Sequence, residues 1–306
     1  MSRRSFLQIS AMTLAVLPLD WGRMAAIAAT MGPKKDYPVV IIGAGLGGLC
    51  CGAYLAKFGI PVIIVEQHFI PGGYATSFDR ASGKFTFEVS LEGTSIHDNA
   101  SARMLKELGV LDKIQIVEIP EVLKMKGPDF EIAVPQRDPN GLITQLSKYF
   151  PQEKEGIRGI VQEMVGIVDE TIRLEEKKGT FSNFPAEYPK MWNVRNKTLA
   201  DLLDAFVKNP ALKNALSAQW DYYGLPPSRL SGFYYAVAFG EYMRNGSYYI
   251  KPRAQALSDA LADTIEASGG KILYGTEAER ILVKDGAAAG VVIEGGKTLP
   301  ARAVVS

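Results

Sequence analysis

Tyr37 to Glu66 reads YPVVIIGAGLGGLCCGAYLAKFGIPVIIVE, and the order of its parts decides the fold. Val39 to Ile42 is an unbroken β-branched run, the pattern of a strand buried on both faces. Gly43, Gly45 and Gly48 then give G-x-G-x-x-G. Leu46 to Phe58 has helical spacing and stops at Gly59, a C-cap glycine. Val62 to Val65 is a second buried strand, and it ends in Glu66. Strand, glycine turn, helix and second strand together predict a βαβ unit.

Each part of that unit has a mechanical purpose. Gly43 permits the tight strand-to-helix turn, and Gly45 removes a side chain where a pyrophosphate approaches the backbone. Gly48, helped by Gly52, lets the helix pack closely on the strands. The helix N-terminus offers unpaired N–H groups and a positive dipole end to phosphates. Glu66 lies 66 − 45 = 21 residues past Gly45. A carboxylate there accepts hydrogen bonds from an adenosine ribose and repels a 2′-phosphate. Dinucleotide contacts are therefore expected at Gly43, Ala44, Gly45, Leu46, Gly47, Gly48 and Glu66. Pro71-Gly72-Gly73 follows directly, inside PGGYATSF. A glycine pair at Gly72 and Gly73 lets a second backbone segment approach an extended cofactor, which favours FAD over a nicotinamide dinucleotide.

Further out, Ala102 to Leu108 predicts a short helix ending at Gly109, and Leu123 to Val134 a hairpin turning at Gly127-Pro128-Asp129. Gly156 to Lys178 and Thr198 to Leu216 predict two amphipathic helices, the second opened by Thr198 with Asp201 as a capping box. From Trp220 to Tyr249 the chain is rich in aromatics, a pattern that fits an apolar tunnel and an aromatic core equally well. Gln255 to Ala267 predicts a helix ended by Gly269-Gly270. Lys271 to Tyr274, Ala278 to Lys284 and Gly290 to Glu294 predict short strands.

The two glycine motifs, with WDYYGLPPS and GSYYIKPRAQALSDAL, resemble the FAD-dependent phytoene desaturase, carotenoid isomerase and retinol saturase group of amine-oxidase-like flavoproteins. The resemblance covers most of Tyr37 to Ser306. It implies an α/β fold: a Rossmann-like FAD-binding domain carrying an inserted α+β substrate domain. The implied boundaries are 34–100 and 253–306 for the FAD domain and 101–252 for the substrate domain. It also implies adenine contact near Ala278, and redox or isomerisation chemistry at C–C bonds of an apolar, polyene-like substrate. Such a substrate makes peripheral contact with a membrane an expectation. Arg253-Ala254 departs from the group, which carries a glycine pair there. Two other readings are an amine-oxidase-like flavoenzyme and an exported flavin-binding protein without turnover. The first is disfavoured because PGGYATSF lacks the arginine usual before the glycine pair in that branch.

The chain opens with Arg3 and Arg4, then an apolar stretch from Ile9 to Leu19, then Ala26 to Ala28 as an Ala-x-Ala site. This resembles a bacterial twin-arginine leader over residues 1–33, and predicts a periplasmic or exported protein. An ordinary N-terminal helix with two surface arginines would leave the protein in the cytoplasm. Thirty-four basic against 33 acidic residues leave no excess to attract nucleic acid. Cys50 and Cys51 are adjacent, which excludes a disulfide framework and fits no zinc site. His68 and His97 have no recognisable acid or nucleophile partner, so no catalytic residue is named and no metal is expected. ARAVVS, Ala301 to Ser306, has strand character, and members of the resembled group continue beyond it; the expectation is a C-terminally shortened chain.

Overall fold

The computed structural model describes residues 37–177 and 179–306. The leader expected over residues 1–33 lies outside the described residues. Two compact units emerge: 37–117 with Tyr248–Ser306, and Glu118–Ser247.

The first unit opens with β1 (Val39–Ile42), α1 (Leu46–Lys57) and β2 (Val62–Val65). A hairpin of β3 (Ser77–Arg80) and β4 (Phe85–Glu88) follows, then α2 (Ala100–Glu107) and β5 (Gln115–Glu118). In the second unit the chain forms a hairpin of β6 (Glu121–Lys126) and β7 (Glu131–Pro135). Seven helices come next: α3 (Pro139–Tyr149), α4 (Lys154–Glu176), α5 (Phe184–Glu187), α6 (Pro189–Val194), α7 (Leu199–Asp204), α8 (Pro210–Leu216) and α9 (Gly232–Asn245). The chain then returns to the first unit through β8 (Tyr248–Lys251), α10 (Gln255–Ala267), β9 (Lys271–Leu273) and β10 (Ala278–Lys284). It finishes with β11 (Ala287–Ile293), β12 (Thr298–Pro300) and β13 (Ala303–Val305).

A parallel sheet in the order β13-β1-β2-β9 organises the first unit. Successive side chains of a strand point to opposite faces, so a strand covered on both sides must be apolar throughout. Val39, Ile41, Val62 and Ile64 pack with Leu49 and Ala53 of α1 and Leu261 and Ile265 of α10. Val40 and Val65 pack on the other face with Val291, Ile293 and Ala301. Val291 and Ile293 belong to the antiparallel sheet β10-β11-β12. That two-sided burial is what the β-branched runs encode, and the strand expected in ARAVVS is β13, paired with β1. The result is a Rossmann-like α/β fold, as expected.

In the second unit the core gathers Ile160, Met164 and Ile167 of α4, Leu202 of α7 and Phe233, Tyr235 and Phe239 of α9. The predicted hairpin forms as read, with Leu123 opposite Val134 and the Gly127 N–H bonded to the Phe130 carbonyl at 2.9 Å. The single helix expected from Thr198 to Leu216 is two, α7 and α8. Pro210 is the cause: it has no N–H to continue the helical ladder and disfavours helical backbone at Asn209. Asn209 instead caps α8 through its side chain. The capping box of Thr198 and Asp201 forms in both directions.

The division between units also falls elsewhere than the boundaries 100/101 and 252/253. Ala102 and Leu105 of α2 are buried in the core of the first unit, and the Tyr54 hydroxyl donates to Glu107 at 2.7 Å. Helix α2 therefore belongs with the sheet. The aromatic stretch divides as well. Phe233, Tyr235 and Phe239 are core, whereas Trp220, Tyr222 and Tyr234 are exposed.

Candidate dinucleotide site

The turn after β1 is built as its glycines require. Gly43 has φ +98°, a value costly for any residue with a Cβ, and its N–H bonds the Val65 carbonyl at 2.8 Å. A Cβ on Gly48 would run into the Gly43 carbonyl and meet Ile41 Cγ2 at 3.3 Å. One on Gly52 would meet Ile64 Cδ1 at 2.9 Å. These two set how closely α1 lies on the sheet. Gly45 is different: it is the N-cap of α1, and a Cβ there meets nothing within 4 Å. Gly47 in the first turn is equally open. Leu46 begins the helix, and no acidic residue in that first turn offsets the positive end of its dipole.

Glu66 follows β2, is 8% exposed as a residue, and turns its carboxylate to the glycine turn. Its Oε2 accepts from the Ala44 N–H at 2.6 Å, and its Oε1 accepts from the His68 N–H at 2.8 Å. A carboxylate has about four acceptor directions, so two backbone bonds orient it while leaving capacity for a hydroxyl.

The second glycine pair lies against the first motif. The Gly72 N–H bonds the Ala44 carbonyl at 2.7 Å, Gly45 and Gly72 form a parallel bridge, and a Cβ on Gly73 would stand 3.2 Å from Gly45 Cα. Gly73, with φ +59°, is the partner that must be glycine for the two segments to lie this close. Ala278 starts β10 opposite Ile293 and packs against the cluster that contains Val40 and Val65, while the Thr276 N–H bonds the Glu66 carbonyl at 2.9 Å. The structure thus gathers Gly43, Ala44, Gly45, Leu46, Gly47, Gly48, Glu66, Gly72, Gly73 and Ala278 around the C-terminal ends of β1 and β2, the usual ligand side of such a sheet.

Sequence reading missed the residues that hold the second loop. Gln255 Nε2 donates to the Pro71 carbonyl at 3.0 Å, and Ser258 Oγ donates to the Ala75 carbonyl at 2.8 Å. The two lie three residues apart on α10, one side of one turn. They act on residues 184 and 183 positions away, so no local pattern announces them. Within the loop, Thr76 Oγ1 donates to the Gly73 carbonyl at 2.9 Å.

Arg253-Ala254, where the resemblance implies glycines, is unstrained. Ala254 has ordinary helical angles, φ −55° and ψ −31°, and its N–H donates to Glu88 Oε1 at 3.2 Å. The same carboxylate accepts from the Tyr249 hydroxyl at 2.5 Å and the Ser77 hydroxyl at 2.7 Å. His68 stacks on Phe69 and His97 on Tyr248. Cys50 and Cys51 are free, and burial, with Cys51 beside it, pushes the Cys50 thiol up to about 11. Few thiolates exist at neutral pH under those conditions, which suits packing and not redox work. Among the described residues no cluster of His, Cys, Asp and Glu could hold a metal, and no helix is long and apolar enough to cross a membrane.

Comparison with known proteins agrees with this geometry. A family model described as an NAD(P)-binding Rossmann-like domain matches residues 41–108. Prolycopene isomerase 1 of an Oncidium hybrid is 28% identical over 91% of this chain and 49% of its own length. Human all-trans-retinol 13,14-reductase is 24% identical over 90% and 47%, and the neurosporene-forming phytoene desaturase of Rhodobacter capsulatus 27% over 87% and 51%. The chain spans about half the length of the curated relatives it matches. An oxidoreductase structure from Methanosarcina mazei superposes with TM-score 0.61 at 20% identity, covering 87% of this chain and 58% of that one. A putrescine oxidase superposes at 0.58 and 16%, covering 87% and 56%.

Proposed function

We propose that the chain holds FAD and serves an oxidoreductase that acts on C–C bonds of an apolar, polyene-like substrate. The observation that carries the cofactor is the second glycine loop lying on the first, with Gly73 against Gly45. That arrangement extends a dinucleotide cradle along a second backbone segment. In this reading the N–H groups of Leu46 and Gly47, at the positive end of α1, hold the pyrophosphate. Glu66 takes the adenosine ribose and the backbone at Ala278 the adenine. Gln255 and Ser258 keep the second loop in place. When bound, the flavin supplies the hydride acceptor or donor, and the protein's task is to position the substrate carbon.

The substrate class rests on the relatives, whose names cover isomerisation of prolycopene, reduction of retinol and desaturation of phytoene. All three concern C–C bonds of extended apolar chains. Anaerobic addition of a polyene to the flavin-loaded protein is expected to change the long-wavelength flavin band. A spectrum unmoved by carotenoids, retinoids and their saturated counterparts contradicts the substrate class. An amine oxidase reading draws only on shared fold, and amine-dependent peroxide production would favour it.

Arg3, Arg4 and the Ala26–Ala28 site support export to the bacterial periplasm. Replacing both arginines with lysine should then leave the protein in the cytoplasmic fraction; unchanged fractionation counts against export.

A further inference from the structure

The β3–β4 hairpin is amphipathic in the reverse of the usual sense. Its register places Phe78 opposite Phe87 and Arg80 opposite Phe85 on one face, with Ser77 opposite Glu88 and Asp79 opposite Thr86 on the other. A hairpin of a water-soluble unit ordinarily turns its apolar face to the body and its polar face to solvent. Here the polar face is internally bonded: Ser77 donates to Glu88, and Thr86 donates to Asp79 at 2.6 Å. Glu88 is tied further to Tyr249 and to the Ala254 N–H, within the same unit. The aromatic face is left outward, with Phe78 37%, Phe87 48% and Phe85 53% exposed. Phe78 and Phe87 stack at 5.6 Å, and Phe85 stands on the same face opposite Arg80.

Two cations border that face. The Arg80 guanidinium lies 4.5 Å from the Phe78 ring centre, and Lys84 Nζ lies 5.6 Å from that of Phe85. Neither is paired with a carboxylate among the described residues. Apolar rings exposed together on one face mark an interaction site. Aromatic rings bordered by flexible cations favour a lipid interface as the occupant: rings settle at headgroup level while lysine and arginine reach anionic headgroups.

We propose that the β3–β4 hairpin docks the protein on an anionic lipid surface, with Phe78, Phe85 and Phe87 entering the headgroup region and Arg80 and Lys84 contacting the headgroups. The proposal does not depend on flavin, so failure of the cofactor reading leaves it standing. The test is co-sedimentation of the full chain with phosphatidylcholine vesicles and with vesicles in which part of that lipid is phosphatidylglycerol. The wild type is expected to bind the anionic vesicles more strongly. Phe85→Ser with Phe87→Ser should lower the partition coefficient about ten-fold on both vesicle types. Arg80→Gln with Lys84→Gln should remove only the preference for anionic vesicles, as added salt should. The charge pair sits at exposed positions, so that variant keeps the test sound if the phenylalanine variant melts abnormally. Failure of the wild type to sediment with anionic vesicles overturns the proposal, as does wild-type binding by both folded variants.

Discussion

Gly45 and Gly48 are three residues apart and meet opposite surroundings. A methyl on Gly48 enters the Gly43 carbonyl, so Gly48→Ala should destabilise the protein by about 1–3 kcal/mol, read as a lower denaturant midpoint. A methyl on Gly45 meets no protein atom within 4 Å, and its φ of −68° suits alanine. Gly45→Ala should therefore leave the midpoint unchanged and weaken FAD binding at least about ten-fold, a cost of about 1.4 kcal/mol. Equal stability loss in the two variants would show that Gly45 is a packing position like Gly48. Glu66 belongs to both kinds. Removing its carboxylate in Glu66→Ala unpairs the buried Ala44 N–H, at a cost of about 1–3 kcal/mol, and leaves the His68 N–H to water. Chemical denaturation checks this, and an unshifted midpoint would mean water replaces the side chain without loss.

Among elements, α10 deserves its place in the site through two side chains. Ser258→Ala leaves the Ala75 carbonyl without its donor, and Gln255→Leu does the same to Pro71. If they position the second glycine loop, each variant should raise the FAD dissociation constant while its cofactor-free melting temperature moves little. A fall in melting temperature with unchanged affinity would make them ordinary packing residues. Helix α5 offers a pH test. Glu187 accepts from the N–H groups of Asn183 and Ser182 and from the Ser182 hydroxyl, each at 2.9 Å, and lies near Lys177. These bonds, that from Asn183 foremost, hold its pKa down to about 2 from 4.5. A carboxylate lowered in the fold adds stability above its unfolded pKa and loses it as pH falls through the folded one. The deficit of Glu187→Gln against wild type, followed by thermal melts, should be full above pH 4.5 and close towards pH 2. A deficit constant across that range would contradict the charge-based account.

At the scale of the whole molecule, what was legible in the sequence is what is local. The boundaries of β1 and β2 emerge as read because a strand buried on both faces must be β-branched at every position. The Thr198–Asp201 box forms because both partners sit within one turn. The helix expected across Pro210 failed on a local rule that periodicity alone overrode. What escaped was long-range: the grip of α10 on the Pro71–Thr76 loop, the membership of α2 in the sheet unit, and the outward turn of the β3–β4 aromatics. The periodicity that makes a ring core also makes it surface, so Tyr235 and Tyr234 differ in burial though adjacent in sequence. The central claim is that two glycine segments and one carboxylate together hold FAD. Its most direct test is titration of FAD into the purified, cofactor-free full chain, followed by flavin fluorescence, beside Gly45→Ala. Saturable binding by the wild type, weakened at least about ten-fold in a variant of equal stability, is the predicted result. A folded wild type that leaves the flavin signal unchanged, or a variant that binds equally well, would contradict it.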